Sequence, residues 1–367
     1  MAAERTPLYN RHRALGGRMV AFAGWELPQQ YASIREEHLA VRTAAGLFDL
    51  SHMGRLEVTG ERAAEYLQQL VTNDVNRLGA GQALYTLMCN DEGGILDDLV
   101  VYRQEAAFTV VVNASNRQAD LDWMRAHAPD GVQVEDRTRD ISLLALQGPR
   151  AEEIIPAQVA QIAYFGFADG DLGGIPAMIS RTGYTGEDGF EIFVASDAAE
   201  AAWDRLLKAG EAKGIRPCGL GARDACRLEA GLRLYGNDMD SSTTPYEAGL
   251  GWTVKLNKTG EFIGKQALAA AKERGPQRRL VGLKCQDRVI PRHGTAVLVE
   301  GHPAGRVTSG TYSFWLNQGI AMAFLPPDLA NEGRRVEFEI RGQRGGAEVT
   351  RLPFYRGSVK MPASSKA

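Results

Sequence analysis

The sequence predicts an α+β protein that ends in an all-β module, and three observations carry that reading. Helix and strand patterns intermingle through the first three quarters of the chain without regular βαβ alternation, which argues against a doubly wound sheet. After Gly275-Pro276 the pattern changes to short strands between Gly-rich turns (RRLVGLKC, TAVLVEG, GRVTSG, GIAMAFL, RRVEFEIRG, GAEVTRL). Glycine is also enriched: 41 of 367 residues is about 11%, against a usual ~7%. That surplus implies many tight turns and close backbone approaches.

The elements follow in order. Ser33 and Glu36 form an S-x-x-E capping box that opens a helix, which Gly46 is expected to close. Ala63, Leu67, Leu70 and Val71 recur at helical spacing between Gly60 and Asn73. Residues 95–103 and 107–113 read as a hairpin, the second strand carrying the apolar run FTVVV. Asn116 can cap a helix that runs toward His127. Residues 178–181 and 190–194 are strands around the turn TGYTGEDG. Asp197 and Glu200 open a helix with Ala202, Trp203, Leu206 and Ala209 on one side, and a last helix covers 264–274. These patterns divide the chain into residues 1–275, a barrel or sandwich at 276–360 and a flexible polar tail at 361–367.

Composition narrows the function. Lys plus Arg (42) against Asp plus Glu (45) gives a formal charge of -3, so no basic excess exists to hold a nucleic acid. No apolar run approaches the roughly 18 residues that span a bilayer, and the charged N-terminus lacks a signal-peptide core. Cys89, Cys218, Cys226 and Cys285 are scattered with no C-x-x-C, which suits a reducing, cytoplasmic compartment. The six histidines form no H-x-H or H-E-x-x-H, so no metal is expected.

Three stretches could carry chemistry. In NDEGGILDDLVVY (90–102), Asp97 and Asp98 point to opposite strand faces and so do not form a simple dyad. One of them shares the buried face of Val100 and Tyr102, where a carboxylate needs a partner. The competing expectation is that both sit at a solvated strand end. Asn113 falls opposite one of the two, with a register uncertain by one residue, and can orient a carboxylate or read a polar ligand. In RTGYTGEDGFEIFV (181–194), Phe190, Ile192 and Val194 form one face, while Glu191 and Phe193 share the other. An acid beside an aromatic ring suits a flat heterocycle with adjacent N–H groups, although a solvent-facing Glu is the ordinary outcome.

The third stretch, CGLGARDACRLEAGLRLYG (218–236), lacks the third glycine of a dinucleotide fingerprint. It opens a helix with Arg223 and Arg227 one turn apart, suited to an anion or to pairing with Asp224 or Glu229. His52 and Cys226 read as structural, and Trp25 and Trp252 as pocket or core residues.

Taken together, RTPLY (5–9), FAGWELP (22–28), FDLSHMG (48–54), CNDEGGILDDLVVY (89–102), VVNASN (111–116), SRTGYTGEDGFE (180–191), GLGARDACRLEAGLRLYGNDM (219–239), GLGWTVKLNK (249–258) and PFYRGSV (353–359) occur in this order. They closely resemble the T-protein family of the glycine cleavage system, the aminomethyltransferases, from Arg5 to Val359. The resemblance implies a three-domain cloverleaf around a central folate-binding hole. Residues 1–275 would hold two intertwined α+β subdomains, the second at about residues 47–136. It also implies a reaction with two partners and no metal. A lipoylated H-protein presents an aminomethyl group, and its carbon passes to tetrahydrofolate as co-substrate, giving 5,10-methylenetetrahydrofolate and ammonia. A monomer is expected.

Carried over motif by motif, Asp98 is the catalytic carboxylate and Glu191 binds the pterin N–H edge. Arg223, Asn113, Tyr85 and Met53 would line the folate site, Tyr184 and Trp252 would surround ring and tail, and Arg356 would supply a C-terminal contact. Two relatives compete: a folate-dependent demethylase and a folate-binding protein of iron–sulfur maintenance. The second carries a cysteine in a K-G-C-Y-x-G-Q-E stretch, where this chain reads TGEFIGKQAL (259–268).

Overall fold

The computed structural model describes residues 3–286, 290–340 and 342–360; the tail expected to be flexible at 361–367 lies outside the described residues. Ser33 opens the helix Ile34–Thr43 as the capping box predicts, its hydroxyl accepting from the Glu36 amide at 3.1 Å. Ser33→Ala is therefore expected to cost about 1 kcal/mol, read as a lower denaturation midpoint.

Gly46 does not end that helix. The cap is Ala44, and Gly46 lies inside the strand Ala45–Asp49. A Cβ there would meet Val41 Cγ2 at 2.5 Å and Cys218 Sγ at 2.7 Å. The glycine serves close packing between helix and strand, a demand that local sequence rules do not carry.

The hairpin Ile95–Arg103 and Ala107–Val112 forms as expected and lies in a five-stranded antiparallel sheet. Its order is Gln82–Cys89, Ile95–Arg103, Ala107–Val112, Gly54–Thr59, Gln133–Asp136. One face packs on the helices Ala63–Leu70 and Arg117–Ala126, with Leu99 and Val101 meeting Leu67, Leu121 and Met124. Strand alternation then turns Val100 and Tyr102 to the opposite face.

A six-stranded sheet runs Phe167–Asp171, Pro176–Ser180, Gly189–Ala195, Ile141–Gln147, Ala45–Asp49, Ile215–Pro217. Phe190, Ile192 and Val194 bury against Trp203 and Leu206 of the helix Ala199–Gly210, so the predicted face assignment holds. Phe193 points the other way, into a cluster with Tyr102, Val111, Ala222 and Cys226. That cluster joins the two sheets to the helix Leu220–Glu229.

The C-terminal strands close into a six-stranded barrel, Arg279–Cys285, Gln318–Leu325, His302–Ser313, Ala296–Val299, Arg335–Ile340, Gln343–Thr350. Closure removes the exposed edges that such short strands would otherwise present. Leu228 packs on Leu280, Ile320 and Met322 of the barrel, so the helix Leu220–Glu229 touches the five-stranded sheet, the six-stranded sheet and the barrel. This mixed helix–sheet architecture with a terminal barrel is the class the sequence predicted.

Candidate active site

Strand alternation splits the two neighbouring carboxylates. Asp97 points toward the helix face and is fully buried; Asp98 points to the opposite face and is half-buried. Neither sits at a solvated strand end, which corrects that expectation. Burial is tolerable because the following chain brings donors. Asn113, one residue past the strand Ala107–Val112, donates its backbone N–H to Asp97 Oδ2 at 2.9 Å. Its Nδ2 donates to Asp97 Oδ1 at 2.8 Å and to Asp98 Oδ1 at 2.7 Å. The two carboxylates thus share one amide despite facing apart, because Asn113 lies beyond the pleat and reaches around the strand end.

The expected Asn116 cap differs in the same way. Asn116 occupies the cap position of the helix Arg117–Ala126, but its side chain makes no capping bond. It donates instead to Asp97 Oδ1 at 2.7 Å and to the Leu96 carbonyl at 3.2 Å. Asp120, buried on that helix, completes the surroundings of Asp97. Burial and the nearby Asp97 charge push the Asp120 carboxyl up to about 10, so it holds its proton near neutrality.

On the open side, Tyr85 donates its hydroxyl to Asp98 Oδ2 at 3.0 Å, and its ring stacks on Trp252 at 5.8 Å. Trp252 is 58% exposed, an unusual position for an indole and a ready platform for a flat ligand. Trp25, by contrast, is core at 5% exposure. Burial, and then the charge of Asp97, push Asp98 up to about 7, while bonds from Asn113 and Tyr85 pull the other way. A carboxylate so placed exists in both protonation states near neutral pH.

Arg223, half-buried on the helix Leu220–Glu229, lies over the Tyr184 ring at 4.5 Å. Its guanidinium makes no hydrogen bond or ion pair among the described residues, and burial lowers its proton affinity. Arg227 has the opposite fate. It binds Asp238 at 2.6 Å, Asp224 at 2.8 Å and Ser309 at 2.8 Å, while Glu229 pairs elsewhere, with Arg42. The expected pairing therefore holds for Arg227 with Asp224 and fails for Arg223, which is left free to meet an anion.

Glu191 is half-buried and not an ordinary solvent-facing acid. It accepts from Thr182 Oγ1 at 2.5 Å and from the Tyr102 hydroxyl at 3.2 Å. Tyr184 interacts electrostatically with both Asp98 and Arg223, and Arg223 with Glu191, so these groups feel one another's charge. Met53 packs at the edge of the cluster that contains Tyr102 and Phe193. His52 is buried beside Phe22 and held well below its ordinary range, at about 3, by burial. Cys226 is buried, as expected.

Arg356 stands apart. It is exposed and makes no ion pair among the described residues, on a segment where Ser358 binds Glu187 at 2.6 Å. Sequence reasoning also passed over Asp120, Thr182 and Arg233. Arg233 is drawn to Tyr85 and Asp98 and is anchored by the carbonyls of Ala248 and Gly231. Asp120 carried a legible signal: it falls on the apolar stripe of Leu121 and Met124, where a lone carboxyl needs an explanation.

A half-buried carboxylate that exists in both protonation states near neutral pH, an aromatic platform and an arginine without a polar partner among the described residues suit acid–base and group-transfer chemistry. Residues 8–258 match the GCVT N-terminal domain family, and residues 278–356 match the glycine cleavage T-protein C-terminal barrel domain. The chain belongs to the glycine cleavage T-protein family and is an aminomethyltransferase. It is 48% identical over 359 residues to the aminomethyltransferase of Bacillus licheniformis, covering 96% of this chain and 99% of that one. It is 50% identical over 357 residues to that of Rubrobacter xylanophilus, covering 96% and 94%. The solved aminomethyltransferase T from Bartonella henselae superposes with a TM-score of 0.90 at 37% identity, covering 97% and 99%.

Proposed function

We propose that this chain takes the aminomethyl carbon from a lipoylated carrier protein, the H-protein of the glycine cleavage system, and passes it to tetrahydrofolate with release of ammonia. The observation that carries this reading is Asp98, half-buried and gripped by Asn113 and Tyr85. The donor set suits the co-substrate. Glu191 would accept from the pterin N–H edge, Tyr85 and Trp252 offer a stacking face, and Arg223 would meet a carboxylate of the tail. Both amide hydrogens of Asn113 are already committed to aspartates, so it serves by orienting them and not by donating to the ligand.

In the transfer, the C–N and C–S bonds at the migrating carbon break and two C–N bonds to the folate form. The two protons released from the folate nitrogens end on the sulfur and on ammonia. Positive charge builds on the carbon as ammonia leaves, and a fixed carboxylate stabilises it. Tyr85 and Asn113 hold Asp98 from two directions, so little reorganisation is needed when that charge appears. Asp98 in its ionised form can also accept one departing proton.

The three-domain division, with limits near residues 47, 136 and 275, and a cytoplasmic location belong to this same proposal. Among the described residues no helix is long and apolar enough to cross a membrane.

The test is tetrahydrofolate-dependent ammonia release from aminomethyl-loaded H-protein. Turnover supports the reading; folate binding without any turnover sinks it in favour of the demethylase or maintenance relatives. In the same assay Arg223→Ala is expected to raise KM for tetrahydrofolate about 10-fold or more, the worth of one charge-assisted bond, with little change in kcat. A loss confined to kcat would remove Arg223 from the binding role.

A further inference from the structure

Asp97 is fully buried on the helix face of its strand, opposite to Asp98, yet it accepts more hydrogen bonds than Asp98 or Glu191. It accepts three N–H bonds, from the Asn113 backbone, Asn113 Nδ2 and Asn116 Nδ2, and it contacts the Asp120 carboxyl. Two buried carboxyl groups in contact need a proton between them, and Asp97 already has the donors that favour an anion. The charge therefore rests on Asp97 and the proton on Asp120. The two hydrogens of the Asn113 amide then bind Asp97 on one side and Asp98 on the other.

We propose that Asp97 is a positioning residue for Asp98: it fixes the shared Asn113 amide, and its buried negative charge makes the Asp98 carboxylate a stronger base. This deepens the reading of Asp98 as the reacting carboxylate and rests on it. The other groups that bear on Asp98 are Tyr85, Tyr184, Tyr235, Arg233 and, behind Asp97, Asp120. Arg233 is the one cation among them and opposes the effect of Asp97, as an attractive charge favours the ionised form. Removing the Asp97 charge leaves Arg233 unopposed, so the proton affinity of Asp98 must fall.

The experiment is a carbon-13 NMR titration of carboxyl-labelled aspartate in the intact protein, without folate or H-protein. The Asp98 signal is identified by its absence in Asp98→Asn. Wild type is expected to titrate near pH 7, where burial and Asp97 place the group. In Asp97→Asn the midpoint is expected to drop by about one unit or more, a tenfold change in proton affinity. The acid limb of the transfer rate should move down with it. Asp120→Asn is expected to leave the midpoint in place, since its amide N–H replaces the acid O–H toward Asp97.

If Asp97→Asn does not fold, Asp120→Ala answers the question. Loss of that donor makes Asp97 hold a proton more readily, so less negative charge faces Asp98 and its midpoint should fall, as in Asp97→Asn but by less. An unmoved Asp98 midpoint in folded Asp97→Asn, or in Asp120→Ala where that variant must stand in for it, overturns the proposal, even if turnover is slower. Because the titration needs no substrate, a shifted midpoint in a chain that releases no ammonia would leave this inference standing and remove the transfer reaction instead.

Discussion

Asp98→Asn is expected to lower single-turnover ammonia release by about 10²–10³-fold, the scale found when one preorganised charge-stabilising group is removed from an active site. Asparagine keeps the size of the side chain and can still accept from Tyr85 or Asn113. What disappears is the negative charge that meets the cationic carbon, together with the capacity to accept a proton. The variant should fold normally, because a neutral side chain at a half-buried position removes a desolvation cost instead of adding one. It should also still bind tetrahydrofolate, since Glu191, Arg223 and the Tyr85–Trp252 platform are untouched. Binding by fluorescence together with rapid-quench ammonia release separates the two effects. Near-normal transfer in a folded, folate-binding Asp98→Asn would end the electrostatic account.

The largest expected effect on stability lies elsewhere. Arg42→Met should destabilise the chain by about 3–5 kcal/mol, the penalty for stranding a buried charge, measured as a fall in the urea midpoint. Arg42 is fully buried and binds Glu229 Oε2 through Nε at 2.8 Å and through a terminal nitrogen at 2.6 Å. Its other terminal nitrogen binds Glu187 at 2.8 Å, and the Tyr355 ring covers the guanidinium at 4.4 Å. Glu229 in turn accepts from Ser313 of the barrel, and Glu187 from Ser358 of the C-terminal segment. One side chain therefore ties the N-terminal helix Ile34–Thr43, the helix Leu220–Glu229, the barrel and the C-terminal segment. Methionine fills the space but leaves two buried carboxylates without their cation. Arg42→Lys should recover only part of the loss, because a point charge cannot reproduce the bidentate fork. By contrast Arg62, whose Glu65 partner is equally exposed to water, should tolerate alanine with no measurable change.

The network around Arg42 shows where sequence reading reaches its limit. Arg42 and Glu229 are 187 positions apart, and nothing in the local pattern of either announces the other. The same limit separates Arg223 from Arg227. Both stand one turn apart on one helix, and the sequence offers them the same two roles. Packing decides: Asp238 and Ser309 reach Arg227, while Arg223 lies over the face of Tyr184 without a hydrogen bond or ion pair among the described residues. For Gly46 and Asn116 the residue type was readable, but its purpose was not. Each looks like a helix terminator or cap, and each is held by a long-range partner instead.

The sequence by itself determined the helices and strands that carry a clear hydrophobic period, cap or turn signal, because those act over a few neighbours. It passed over strands such as Gly54–Thr59, Gln82–Cys89 and Ile141–Gln147. It determined the faces of the strand 189–195 and the separation of Asp97 from Asp98, since strand alternation is a geometric certainty. Its motifs determined the family. Only the tertiary structure decided that Asp97 is buried and Asp98 half-buried, that one amide joins them and that burial beside Asp97 pushes the Asp120 carboxyl up. Those features depend on water being excluded by elements distant in the chain, and the protonation of a carboxyl group follows the solvent and charges around it, not the residues beside it in sequence.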